Sequence, residues 1–420
     1  MYTPIRDYAA VGNLRSTILI SKEGSIDWAP APFIDSPSIF AAILDEKQGG
    51  HWKIYPREKY HTTQEYIPET NILVTTFKTE TGIVELTDFI PIEKERGYLP
   101  AEKDTTFKIK RRITCKRGNC IMKMEMMPRF DYARGVTMLS PREKGIFIQN
   151  NAMHGLLISN FPMEISKHGS IQSEFNLEEN DFDFIVFLYN KGEIDIEKDT
   201  KEHHNEDLEY ATNFWKGWAN QCDLETCPIE KPWHNEVVRS ALLLKMLFFD
   251  PIGTVAAAPT TSLPEEIGGI RNWDYRFTWI RDSAFIFEAF FRLGHIMEAE
   301  EYISWLMGKC KTLDVDTHPE NLKIMYGLHD ERTLEEETLS HLSGYRDSKP
   351  VRIGNDAHAQ DQWDIYGSIL DMIWKLHELK GEQSIKGDMF GIIASIADYV
   401  TKIWREPDKG LWEVRGGADH

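Results

Sequence analysis

Apolar residues in the first two hundred positions recur in short runs with a period of two, and that period predicts strands. STILISKEGSIDWAP holds an apolar run at Ile18 to Ile20, a Lys-Glu-Gly turn at 22–24 and a second run entering Trp28. NILVTTFKTETGIVELTDFIP repeats the form, with a turn at Glu80 to Gly82 and alternating faces from Ile83 to Leu86. TFKIKRRITC, CIMKMEMMPRF and DFIVFLYN continue the series between charged or Gly-containing turns. Many short strands with tight turns and little helix predict an antiparallel sandwich over residues 1–205.

From about Leu208 the period lengthens to that of a helix. LEYATNFWKGWAN predicts a connecting helix, near Leu208 to Ala219, within a linker at 206–230. WHNEVVRSALLLKMLFFD sets Val237, Ala241, Leu244 and Phe248 on one helical face. Further helices are predicted for Asp282 to Arg292, Met297 to Lys309, Gln360 to Leu379 and Asp388 to Trp404, the last with a stripe of Ile392, Ile396, Tyr399 and Ile403. Gly294 and Gly381 fall where helices should end. Residues 231–420 therefore read as a helical domain. The connections Asp250 to Ile280 and Lys311 to Ala359 are longer than helix packing needs, and such loops are where binding residues are expected.

Composition adjusts this picture in a few places. A chain of 420 residues exceeds one ordinary core, and 41% hydrophobic with 27% charged residues describes a globular protein. A formal charge of -19 makes nucleic acid and anionic membranes poor partners, while a neutral sugar is compatible with it. No apolar run approaches a membrane span, and the Met-Tyr-Thr-Pro start lacks the pattern of a signal peptide, so a cytoplasmic location is expected. The five cysteines (115, 120, 222, 227 and 310) are odd in number without CxxC spacing, which fits reduced thiols. His203 and His204 lie in an acidic run and are expected to be solvated.

The densest chemistry lies in RNWDYRFTWIRD. It carries Trp273, Tyr275 and Trp279 beside Asp274, Arg276, Arg281 and Asp282. Sugars present flat apolar faces and rims of hydroxyls, which aromatic rings and charged hydrogen-bonding groups match. The same composition also suits a helix entry in which Arg–Asp pairs fix a loop.

AAAPTTSLPEEIGGIRNWDYRFTWIRDSAF resembles the signature of glycoside hydrolase family 15, the glucoamylases and related trehalases. DYAAVGNLRSTILISKEGSIDWAPAPFIDSPSIFAAIL, HLSGYRDSKPVRIGNDAHAQDQWDIYGSILD and GLWEVRGG extend the resemblance over nearly the whole chain. It implies a multidomain β + α protein: an N-terminal antiparallel β-supersandwich followed by an (α/α)6 barrel, here incomplete. It also implies that Arg281 and Asp282 hold a glucose, that Tyr275, Trp279 and Trp412 line its pocket, and that Glu413 is the general acid. DAHAQDQWD, with His358, resembles an outer-subsite helix start rather than a metal site, and no metal or cofactor is expected.

The reaction implied is inverting, exo-acting hydrolysis of α-1,4-glucans from the non-reducing end, as in glucoamylases, with α,α-trehalase as the alternative. A non-catalytic carbohydrate-sensing module is the alternative of a different class. Inversion needs an acid and a second carboxylate that activates water, roughly 6.5–9.5 Å apart. Family members continue beyond the acid motif, where their base lies, whereas this sequence stops at His420. A fragment or short form is therefore expected, poorly active by itself, with Ile392, Ile396 and Ile403 exposed. Glu336 and Glu337 receive no role as base, and the oligomeric state is not assigned.

Overall fold

The computed structural model describes residues 2–93, 106–191, 200–220, 233–381, 387–410 and 413, with Gly387 and Asp388 by backbone alone. The chain divides into two compact units. The first gathers Met1–Met246, Ser262–Asn272 and Leu339–Val351; the second gathers Leu247–Thr261, Trp273–Thr338 and Arg352–His420.

The first unit is built on fifteen strands: β1 (Tyr8–Gly12), β2 (Thr17–Ser21), β3 (Ser25–Pro30), β4 (Ser38–Phe40), β5 (His51–Pro56), β6 (His61–Tyr66), β7 (Leu73–Lys78), β8 (Gly82–Phe89), β9 (Phe107–Met127), β10 (Met138–Arg142), β11 (Gly145–Asn150), β12 (Met153–Ser159), β13 (Glu164–Ile165), β14 (Ile171–Glu178) and β15 (Phe182–Asn190). All their pairings are antiparallel, as the alternating pattern predicts. Strand β9 is 21 residues long and belongs to two layers. Its first half lies between β8 and β15, and its second half between β5 and β14.

A change of phase in β9 lets one strand serve both layers. Phe107, Ile109, Arg111, Ile113 and Cys115 point inward in the first half; Cys120, Met122, Met124 and Met126 do so in the second. The switch from odd to even occurs across Lys116 to Asn119, where the register with β8 slips and Gly118 takes φ +68°. Without that slip, the apolar set of the second half would face water.

The core face also holds a charge pair. Asp88 of β8 and Arg111 of β9 are directly opposed and both fully buried. Arg111 donates from Nε (2.7 Å) and Nη2 (3.2 Å) to the Asp88 carboxylate, and to the carbonyls of Trp52 (2.7 Å) and Gly24 (2.9 Å). Its guanidinium lies 5.0 Å from the centre of the Trp52 ring. Partners on this scale are what make a buried ion pair tolerable.

Helix α1 (Phe130–Ala133) is a single turn, and α2 (Lys201–Ala219) starts at a Thr200 cap whose side chain accepts from His203 N. The buried stripe of α2 is His204, Asp207, Ala211, Trp215 and Trp218. This corrects the expectation that His204 is solvated. Lys110 is buried beneath it and meets His204 Nδ1 at 2.7 Å and Asp207 at 2.6 Å, so the acidic run turns an ionic face inward. Helix α3 (His234–Leu247) buries Ala241, Leu242, Lys245 and Met246. Phe248, expected on its face, leaves the helix to pair with Val255.

The second unit contains α4 (Ile280–Arg292), α5 (Ile296–Thr312), α6 (Asp364–Lys380) and α7 (Gly387–Ile403). Gly294, at φ +83°, ends α4 as predicted: His295 N donates to Phe290 O and Gly294 N to Phe291 O. On α7 the expectation of exposure fails. Ile392 and Ile396 are 2% and 0% exposed and Ile403 is half-buried. The stripe faces α6 and the 3-10 turn Pro319–Asn321, and Tyr399 meets Tyr366 edge-on at 5.3 Å. The exposed apolar residues there are Phe390 and Trp404.

Cys115, Cys120 and Cys310 are buried free thiols; Cys222 and Cys227 lie outside the described residues. Among the described residues, no helix is long and apolar enough to cross a membrane.

The β9 switch gives a direct test. A Cβ on Gly118 would sit 2.1 Å from Thr81 O, whereas Gly169 has a similar φ of +73° and nothing within 4 Å. Gly169→Ala should cost only the left-handed backbone term, about 1–2 kcal/mol. Gly118→Ala should cost clearly more in urea unfolding, by at least about 1 kcal/mol. Equal losses would show that the close approach at the switch is not needed.

Candidate active site

Residues 273–276 are extended, and their mixed composition resolves into two faces. Trp273 and Tyr275 are half-buried, while Asp274 and Arg276 point inward and are 0% and 1% exposed. Asp274 Oδ1 accepts from Arg276 N (3.2 Å) and Nε (2.9 Å); Oδ2 accepts from Arg276 Nη2 (2.7 Å) and Gly354 N (3.2 Å). Asn355 Nδ2 donates to Asp274 O at 3.0 Å. These two charges therefore fix the loop and are not available to a ligand. On the other face, Arg352 lies 4.4 Å over the Trp273 ring and pairs with Glu336 at 2.9 Å.

The chain then enters a two-residue strand, Thr278–Trp279, paired with Met325–Tyr326, and turns into α4. Trp279 is 2% exposed, and its indole Nε1 has no hydrogen-bond partner among the described residues. Its ring is 5.9 Å from that of Tyr275, so the accessible aromatic surface here belongs to Tyr275, with Trp279 behind it.

Arg281, in the first turn of α4, collects the remaining chemistry. Nη1 donates to Gln362 Oε1 at 3.0 Å and to Asp364 Oδ2 at 3.4 Å, and Nη2 donates to Glu413 Oε1 at 2.9 Å. Asp282 Oδ2 lies 4.0 Å from Nε. The Arg281 side chain is 17% exposed and Glu413 18%, whereas Asp282 and Asp364 are 46% and 40% exposed. Asp282 and Asp364 stand in the first turns of α4 and α6, where the helix dipole favours negative charge.

Burial pushes the Asp282 carboxyl above its ordinary range; Arg281 pulls it back in part and Asp364 adds to the rise. Burial works against the Arg281 charge, but Asp364, Asp282 and Glu413 outweigh it, so its pKa is raised. The cluster is thus a permanent cation ringed by hydrogen-bond acceptors, two of them open to a ligand.

Of the residues the sequence suggested, Arg281, Asp282 and Glu413 meet around one guanidinium, and Tyr275 and Trp279 meet each other. Trp412 lies outside the described residues. Gln362, Asp364 and Asp408 were not singled out. Asp408 joins the 405–410 loop to the start of α6, with Oδ2 accepting from Trp363 N (2.7 Å) and Oδ1 from Gly410 N (2.8 Å). Their only sequence signal is the polar run DQWD and the turn-like PDKG. His358 sits in the short turn Asp356–Ala359, with Nδ1 3.0 Å from Asn355 O.

Two family profiles cover this architecture. Residues 1–215 match the one described as trehalase-like, N-terminal, and residues 232–420 match glycosyl hydrolases family 15. The chain belongs to glycosyl hydrolase family 15. Its relatives in the family include the trehalase of Mycolicibacterium smegmatis, 34% identical over 100% of this chain and 64% of that protein. The trehalase of Mycobacterium tuberculosis is 35% identical over 100% of this chain and 62% of its own length. Trehalase 2 of Sulfolobus acidocaldarius is 30% identical over 99% of this chain and 67% of its own length. The chain thus spans a little under two thirds of the two mycobacterial relatives.

A bacterial glucoamylase crystallised with acarbose has the same fold, with a TM-score of 0.61 over 99% of this chain and 61% of that one, at 12% identity. That likeness fits the expected architecture of a large antiparallel β region followed by helices of the (α/α)6 type.

Within this family 15 chain, the Asp274–Arg276 pair should prove structural. Asp274→Ala should destabilise the protein by about 3–5 kcal/mol, because it strands a buried guanidinium. The double change Asp274→Leu with Arg276→Met should cost less than either truncation to Ala. Urea unfolding of the set checks this, and a strictly additive double variant would contradict it.

Proposed function

We propose that this protein hydrolyses α,α-trehalose with inversion at the anomeric carbon. The observation that carries the reading is identity of 34% and 35% to two trehalases across the whole chain, together with a trehalase-like N-terminal profile. The glucan-hydrolysing alternative rests on motif resemblance and on a likeness of fold at 12% identity, which is weaker support.

In this reading the acceptors around Arg281 receive the glucose whose anomeric carbon is attacked. Asp282 and Asp364, each nearly half accessible, accept hydrogen bonds from sugar hydroxyls, and Arg281 holds both carboxylates in place. Tyr275 offers its half-buried ring to the apolar sugar face, backed by Trp279. Glu413 acts as general acid on the glycosidic oxygen. Its Oε1 accepts from Arg281 Nη2 at 2.9 Å, and proton donation to the substrate requires that this hydrogen bond be given up. Water attacks the opposite face with help from a second carboxylate.

Glucose release from trehalose, maltose and maltotriose by the full-length protein tests the reading. Trehalose should be the preferred substrate, and early NMR spectra should show one α- and one β-glucose per trehalose, as inversion requires. Glu413→Gln should lower kcat by about 10²–10⁴-fold, and Asp282→Ala should remove most turnover while the protein stays folded. Faster hydrolysis of maltotriose, or release of α-glucose alone, would overturn the proposal.

A further inference from the structure

A ring of hydrogen bonds includes the candidate acid. Arg281 holds Glu413 by Nη2 and reaches Gln362 and Asp364 by Nη1. Those two residues flank Trp363, whose backbone N–H donates to Asp408 Oδ2 at 2.7 Å. The other Asp408 oxygen accepts from Gly410 N at 2.8 Å, and Glu413 N donates to Gly410 O at 3.1 Å. Two further bonds run beside this one: Trp363 Nε1 to Glu406 O at 2.9 Å, and Lys409 N to Asp361 O at 3.2 Å.

We propose that Asp408 is a positioning residue for catalysis: its carboxylate ties the loop bearing Glu413 to the start of α6 and thereby aims the acid. This rests on the reading of Glu413 as the general acid. Three features of the geometry support it. A carboxylate has acceptor sites on both oxygens, and here each takes one main-chain N–H from a different segment. Neither N–H belongs to a helix interior: Trp363 caps α6, and Gly410 stands at φ +61° in the turn after Asp408. The backbone at Glu413 is itself left-handed, with φ +54°, a conformation that needs outside restraint to persist. Asp408 supplies restraint five residues before Glu413, and it anchors that restraint beside the two residues that grip Arg281.

The consequence is specific to proton donation. A displaced acid slows the reaction when the leaving group needs a proton and matters little when it does not. The leaving group of trehalose is a glucose and needs one; that of α-glucosyl fluoride is fluoride and does not. In the full-length protein, Asp408→Ala should lower kcat on trehalose by about 10–100-fold with little change in KM. The same variant should keep α-glucosyl fluoride turnover within about threefold of wild type. Asp408→Asn retains one acceptor and should fall between wild type and Asp408→Ala.

A merely structural defect lowers the folded fraction and reduces both substrates equally, so equal losses would overturn the proposal. Undiminished trehalose turnover in Asp408→Ala would overturn it too. Undiminished trehalose turnover in Glu413→Gln would instead remove the assignment of Glu413, and no trehalose turnover in wild type would remove the trehalose reading. Hydrogen exchange is independent of turnover: the Gly410 and Trp363 amides should exchange faster in Asp408→Ala, and unchanged protection would refute the tether itself.

Discussion

Arg281 carries its charge into a site where only 17% of its side chain meets water, and it can do so because three carboxylates and a carboxamide surround it. Those partners come from the first turn of α4, the start of α6 and Glu413. A guanidinium has five donors in a fixed plane, so it dictates where each acceptor stands. Lysine, a point charge on a flexible stem, would hold the same groups without fixing their directions. The chemistry available to the second unit therefore follows from one planar cation.

The charge count around that cation narrows what can bind. One positive and three formally negative side chains leave the site acidic, in a chain whose formal charge is -19. A phosphorylated or carboxylated ligand would meet repulsion at Asp282 and Asp364. A neutral polyol meets acceptors for its hydroxyl protons and pays no such penalty. The raised pKa of Asp282 has the same origin, since burial and Asp364 make its negative charge costly until a hydroxyl donor arrives.

Legibility in the sequence followed how local the cause was. Strand alternation and helical spacing are local, and they located most of the strands, the cap at Gly294 and four helices of the second unit to within a few residues. Glu413 and Arg281 were suggested by motif resemblance rather than periodicity, and the structure brings them into contact. The misses depend on partners far along the chain. His204 looked solvated because its neighbours are acidic, and only the buried Lys110 of β9, 94 positions earlier, explains its burial. Ile392 and Ile396 form a visible stripe, but what covers it is set by α6 and residues 319–321. Phe248 continues a helical spacing and is removed from it by pairing with Val255. Asp408 reads as an ordinary turn residue; its role appears only with Trp363 beside it.

The two units share one device at different places, a buried Asp–Arg pair joined by two parallel hydrogen bonds. In the first unit it is Asp88 with Arg111 across neighbouring strands; in the second it is Asp274 with Arg276 within one strand-like segment. Such pairs add little net stability, because desolvation consumes most of the attraction. What they add is intolerance of alternatives. A slip of one residue in β8 against β9 would leave both Asp88 and Arg111 buried without partners. A different twist at 274–276 would turn the pair outward and the Trp273 and Tyr275 rings inward. The second case bears on function, because the same alternation that hides Asp274 and Arg276 keeps Tyr275 at the accessible face and leads the chain to Arg281. The Asp274–Arg276 pair is thus the reason that a stretch so rich in charge presents aromatic surface first and its ligand-ready charges only at the helix entry.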